Sequence, residues 1–184
     1  MPRMSRLRRM VLCDRFFFIT CRLLPKRRIL SEPEFTRLAR VISERRKKHG
    51  FLLTAWVFLP DHWHAILFPR HPLTISEVME AIKVASTRGI DRARGEFGLL
   101  WQGRFPSAAL RASFDRALRT VREYNEKVAY IHWNPVKAGL AKRPEDWRWS
   151  SLQDYTASVG APSGTESPLP VDRILIPSDE RTRI

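Results

Sequence analysis

The chain has 184 residues, 33 Lys and Arg against 19 Asp and Glu, a net charge of +14 and a 43% hydrophobic share. That supports one compact domain plus a tail, and its charge attracts polyanions: nucleic acid is the expected partner and an anionic membrane surface the competing one. No apolar run approaches the roughly 20 residues of a membrane helix, and Asp14 and Arg15 interrupt the only stretch that could pass for a signal peptide.

In chain order, residues 1–14 form a basic arm, either solvated or touching phosphates. Phe16–Leu23 is short, apolar and aromatic, as expected of a buried strand. Cys13 and Cys21 form no CxxC pair and read as reduced, buried thiols. Ser31 and Glu34 make a capping box that opens a helix whose apolar stripe is Phe35, Leu38 and Ile42, and Gly50 closes it. Phe51–Leu59 and His62–Phe68 are strands joined by a tight turn at Pro60-Asp61, a hairpin. Thr74 and Glu77 form a second capping box, opening a helix through Val78, Met79, Ile82 and Ala85. A looser stretch rich in Gly and Arg runs to Arg104, a fourth strand is expected at Ser107–Arg111, and a long helix from Asp115 to Trp133 is terminated by Pro135.

The order β-α-β-β-α-β followed by a helix is the split βαβ pattern. The expected fold is α+β: a ferredoxin-like sandwich with a four-stranded antiparallel sheet, in which the first and third strands are central, and an added C-terminal helix. The domain spans 15–152, and residues 153–184 read as a poorly structured tail.

His62-Trp63-His64 lies on the third strand. Residues two apart on a strand share a face, so both imidazoles point one way and Trp63 the other. Two side-by-side imidazoles can hold a metal ion, though histidines at a strand end are often structural. The last helix offers completing residues. Ala117, Val121, Tyr124, Val128 and Ile131 repeat with helical spacing and form its apolar stripe, whereas Tyr130 falls outside it, in a sector with Glu123, Lys127 and Asn134. Tyr130 and Asn134 are four apart and neighbours on one face. His132 points elsewhere and reads as structural.

These pieces carry a resemblance. Phe16-Phe-Phe-Ile-Thr, Trp56-Val-Phe-Leu-Pro-Asp-His-Trp-His-Ala65, Ile82-Lys83, Leu100-Trp-Gln102, Tyr130-Ile-His-Trp-Asn-Pro-Val-Lys-Ala-Gly-Leu140 and Trp147-Arg-Trp-Ser-Ser151 resemble the REP-associated branch of the single-tyrosine HUH transposases. The resemblance covers roughly residues 15 to 152, and HxH followed at this distance by Tyr-x-x-x-Asn-Pro-Val-x-x-Gly-Leu is what makes it specific. It implies that His62 and His64 bind a divalent ion, Mg²⁺ or Mn²⁺, that Asn134 adds an oxygen ligand, and that Tyr130, on the added helix, attacks single-stranded DNA beside a hairpin to give a 5′-phosphotyrosine. It also implies a bacterial, cytoplasmic and nucleoid-associated protein, monomeric or homodimeric. The chain departs from the family where Ser107-Ala108 stands in place of an acidic residue followed by His or Arg.

With such a site, Lys83, Arg88, Arg92, Arg94 and Arg104 become expected phosphate contacts instead of a solvated surface. Trp101 and Phe105 are either base-stacking platforms or core. Glu123 is a weak candidate for the proton acceptor of Tyr130. Two other readings stay open: a domesticated hairpin-DNA-binding protein that does not cut, and a metal-dependent phosphoesterase that uses water.

Overall fold

The computed structural model describes residues 13–103, 115–156 and 167–184. Four strands and two helices alternate as β1 (Phe17–Arg22), α1 (Glu32–His49), β2 (Leu52–Phe58), β3 (His62–Phe68), α2 (Ile75–Arg94) and β4 (Asp115–Ala117). They are followed by α3 (Val121–Lys137), a 3-10 turn at Pro144–Asp146 and the short α4 (Leu152–Thr156). The sheet order is β2-β3-β1-β4 and every pairing is antiparallel, so β1 and β3 are central.

The local chemistry accounts for the helix boundaries. The Glu34 carboxylate accepts the Ser31 N–H at 2.7 Å and the Ser31 hydroxyl at 2.9 Å, and Gly50 closes α1 at φ +73°. Glu77 accepts the Thr74 N–H at 2.8 Å to open α2. That helix runs further than the sequence suggests, through Gly89 to Arg94, because its last two turns are held from outside: Ile90 is buried, Arg27 pairs with Asp91, and Arg94 pairs with Glu34.

Three expectations are corrected downstream. The strand placed at Ser107–Arg111 lies outside the described residues, and the observed fourth strand is Asp115–Ala117, where a helix was expected to begin. Pairing of this segment with Phe17–Ile19 overrides its helical spacing, and α3 starts only after Thr120, whose side chain accepts the Glu123 N–H. Nor does Pro135 stop α3. The helix continues to Lys137 and gives way at Gly139, φ +69°. A proline this close to the end removes one ladder bond, and the Ala138 N–H still reaches the Asn134 carbonyl at 2.9 Å. Third, residues 167–184 have no helix or strand but are docked. Trp56 Nε1 donates to the Leu169 carbonyl at 2.7 Å, Asp172 Oδ2 accepts the Leu53 N–H at 2.8 Å, and Thr120 bridges Arg183.

The sheet separates two cores. One, under α1 and α2, takes Phe17, Ile19, Leu53, Trp56, Trp63, Ala65 and Leu67. The other, under α3, takes Phe16, Ala55, Val57, Ile66, Tyr124 and Ile131. In β2 the register shifts between Leu53 and Ala55, leaving Thr54 as an extra residue. This bulge turns Trp56 to the first core and Ala55 and Val57 to the second, which strict alternation from Leu53 would reverse. Cys13 and Cys21 are buried and form no disulfide. No described helix is long and apolar enough to cross a membrane.

His132 faces this second layer. It is buried and hydrogen-bonds Ser151 Oγ through Nε2 at 3.0 Å. Burial holds its imidazole down to about 4. The folded state therefore binds fewer protons than the unfolded one between about pH 6.5 and 4, and this stabilisation is full above that window and lost as pH falls through it. Urea unfolding at pH 7 and pH 4.5 should show His132→Gln losing less stability on acidification than the wild type, by on the order of 2 kcal/mol. Equal losses would contradict the assignment.

Candidate active site

On β3, His62, His64 and Ile66 alternate toward α3 while Trp63, Ala65 and Leu67 enter the opposite core. The β1–β3 register sets Thr20 opposite His64 and Arg22 opposite His62. Each imidazole is oriented by a neighbour. His62 Nδ1 donates to Asp61 Oδ1 at 2.6 Å, and Asp61 Oδ2 also receives Arg22 at 3.2 Å. His64 Nδ1 is hydrogen-bonded to Thr20 Oγ1 at 2.9 Å. The two rings stand edge to face with centroids 4.8 Å apart.

His64 Nε2 is buried and has no hydrogen-bond partner. A buried polar atom without a partner is costly unless something outside the chain satisfies it. Burial first, then the His62 charge, hold the His64 imidazole down to about 3, with Arg22 and Lys127 adding to the effect, so it is neutral at physiological pH. A neutral imidazole with Nδ1 engaged and Nε2 open is the ligating form, and the carboxylate behind His62 is the arrangement that orients a metal-bound histidine. The residues therefore fit a divalent ion. Among the described residues no three His, Cys, Asp or Glu side chains are grouped to hold one.

Tyr130 comes from α3 across the sheet face. Its ring meets His64 edge-on at 5.3 Å and Phe18 at 5.7 Å, while Phe18 stacks on His64 at 5.3 Å. Asn134 lies one turn further along and is buried. Two ammonium groups border the tyrosine ring: Lys127 Nζ at 5.3 Å and Lys137 Nζ at 5.0 Å from its centroid.

The structure thus brings His62, His64 and Tyr130 together, with Asn134 adjacent on the helix. The expected phosphate contacts do not converge on them. Lys83 Nζ donates to the Gln102 and Gly103 carbonyls at 3.0 and 3.3 Å. Arg88 and Arg92 are exposed on α2, in the helical layer on the other side of the sheet. Arg104 and Phe105 lie outside the described residues, as do Ser107 and Ala108. Trp101 is core, buried with its Nε1 donating to Ser86 Oγ at 2.9 Å. Glu123 accepts the Arg119 N–H at 2.9 Å near the start of α3, two turns from Tyr130.

Arg94 departs most from its expected role. Its side chain is 1% exposed and makes bonds of 2.6 and 3.0 Å to Glu34, tying α2 to the first turn of α1. Burial alone would raise the Glu34 carboxyl, but Arg94 and Ser31 overcome it and hold it down to about 2. Arg94 is a structural cation. Sequence reasoning also missed Thr20, Asp61, Phe18 and Lys137. Asp61 was detectable as the residue preceding the His pair, and Lys137 as one helical face with Tyr130. Thr20 becomes visible only once the strand register is known.

Against known proteins, residues 18–127 match the model of the family described as IS200-like transposases. The chain belongs to that family. It is 30% identical over 150 residues to the REP-associated tyrosine transposase of Escherichia coli (strain K12), covering 81% of this chain and 83% of that one. A solved structure of a REP-associated tyrosine transposase bound to a REP hairpin superimposes with a TM-score of 0.65 at 26% identity, over 89% of this chain and 94% of the other. The family match includes His62 and His64 and ends before Tyr130.

Removing Arg94 takes the close cation from the buried Glu34, leaving it only the Ser31 hydrogen bonds and an exposed Arg28 at 3.9 Å, so Arg94→Met should cost about 3 kcal/mol in chemical denaturation. Arg88→Met and Arg92→Met, on an exposed face, should change stability by less than about 0.5 kcal/mol. A comparable small effect from all three would show Arg94 to be a surface residue.

Proposed function

We propose that this IS200-like transposase nicks and rejoins single-stranded DNA, with Tyr130 as nucleophile and His62, His64 and Asn134 as the ligands of a Mg²⁺ or Mn²⁺ ion. The observation that carries the reading is the meeting of Tyr130 with a neutral His64 whose buried Nε2 has no partner. Family membership supports DNA as the substrate class, and the REP hairpin in the similar structure supports a hairpin beside the cut.

In the cleaving step the Tyr130 Oη–phosphorus bond forms and the phosphorus–O3′ bond breaks. The phenolic proton passes to water, and the departing oxygen takes a proton to become a free 3′-OH. The 5′ phosphate stays on the tyrosine, so the energy of the phosphodiester is kept and rejoining needs no nucleotide cofactor. A divalent ion bound at the His pair supplies Lewis-acid stabilisation of the non-bridging oxygens. The chain's own residues do the rest. Asp61 and Thr20 fix the two imidazoles, and Phe18 packs against both the His64 and Tyr130 rings. Lys83, Arg88, Arg92 and Arg104 stand as proposed contacts to more distant phosphates, and Arg94 leaves that set because of its buried pairing.

Incubation with labelled single-stranded hairpin DNA and Mn²⁺ should yield a covalent adduct that survives denaturation. Tyr130→Phe should abolish it while the Kd for the DNA stays within about threefold. Cleavage persisting in Tyr130→Phe would sink the tyrosine mechanism in favour of attack by water. Tight binding with no adduct from the wild type would favour a DNA-binding module.

A further inference from the structure

The two lysines bordering Tyr130 are assigned no contact with DNA in the reading above. Lys127, three residues before Tyr130 on α3, holds Nζ 4.6 Å from the Phe18 ring centre and 5.3 Å from that of Tyr130. Lys137, seven residues after it, reaches back to place Nζ 5.0 Å from the same ring. The spacings of three and seven put both on the helical face of the tyrosine. The acidic side chains nearby in sequence are engaged elsewhere: Glu123 accepts the Arg119 N–H, and Glu126 pairs with Arg122 at 2.9 Å. Among the described residues, neither lysine forms an ion pair.

Two like charges converging on one ring repel each other, and the cation–π attraction is only about 0.5–1 kcal/mol at an exposed site. Nor does the pair stabilise the fold by countercharge. What it produces is a positive field over the tyrosine ring, on the helix side, with the His pair on the sheet side. A phosphodiester placed for attack by Oη carries negative charge that grows in the transition state. It would lie between these two sets of groups, where ammonium donors can reach its non-bridging oxygens.

We propose that Lys127 and Lys137 form a two-ammonium clamp that grips the scissile phosphate of the DNA from the helix side and aligns its phosphorus with the Tyr130 hydroxyl. The clamp rests on the reading of Tyr130 as the nucleophile. It transfers no proton: both lysines remain charged and donate hydrogen bonds while the Oη–phosphorus bond forms and the phosphorus–O3′ bond breaks.

The test uses the full chain, saturating Mn²⁺ and hairpin DNA with either a normal scissile phosphate or a methylphosphonate at that position, which removes its charge. Lys127→Met and Lys137→Met should each slow adduct formation on normal DNA by about tenfold or more, and Lys→Arg variants should recover part of that loss. In a Tyr130→Phe background, where nothing is cut, each Lys→Met change should weaken binding of normal DNA but leave binding of methylphosphonate DNA within about twofold, the coupling expected when one charge answers another. Adduct formation at the wild-type rate in both Met variants would overturn the clamp. So would equal losses of affinity on the charged and neutral substrates, which would place the lysines on other phosphates or in the fold. If the wild type binds DNA but forms no adduct, the nucleophile reading fails, and the binding comparison still decides whether the lysines hold that phosphate.

Discussion

The candidate site depends on the register between β1 and β3. That pairing puts Thr20 opposite His64 and Arg22 opposite His62, and the pleat then turns both imidazoles toward α3. A slip of one residue would exchange the faces, sending the histidines into the core under α1 and α2 and Trp63 out beneath α3. Packing forbids the slip. Trp63, Ala65 and Leu67 are fully buried on one side, and Ile66 is fully buried on the other. The bulge at Thr54 performs the matching adjustment in β2, bringing Val57 beside His64 on the site face while Trp56 fills the far core. Core packing and site geometry are therefore consequences of the same strand alignment.

The excess positive charge has more than one use. Arg94 is withdrawn into a buried pair with Glu34 that joins the two helices of one layer. Arg22 is drawn to Asp61, and through it to His62, so a cation and a carboxylate together orient an imidazole. Arg88 and Arg92 remain in solvent on α2. Lys127 and Lys137 gather at the tyrosine ring. A net charge of +14 indicates polyanion affinity, but the location of each cation decides whether it braces the fold or faces a ligand.

Much of this was legible in the residues. Both capping boxes, the hairpin and the antiparallel order follow from spacing and turn chemistry, and the structure shows them. The helical angles of α3 separated Tyr130 from the Tyr124 stripe, and the structure puts Tyr124 in the core and Tyr130 against His64. The failures were of two kinds. Asp115–Ala117 has helical spacing and yet pairs with β1, because tertiary hydrogen bonding outweighs local pattern in a short segment. Arg94, Thr20 and the docked residues 167–184 owe their places to partners distant in sequence: Glu34, His64 and the edge formed by Leu53 and Trp56. No local window contains both members of such a pair.

The central claim is that β3 presents a two-imidazole metal site to the tyrosine of α3. Pulsed electron paramagnetic resonance of the protein loaded with Mn²⁺ tests it most directly. The account predicts nitrogen modulation from two imidazoles, reduced to one in His62→Ala and in His64→Ala. Mn²⁺ that binds without nitrogen modulation, or whose signal is unchanged in both variants, would contradict it.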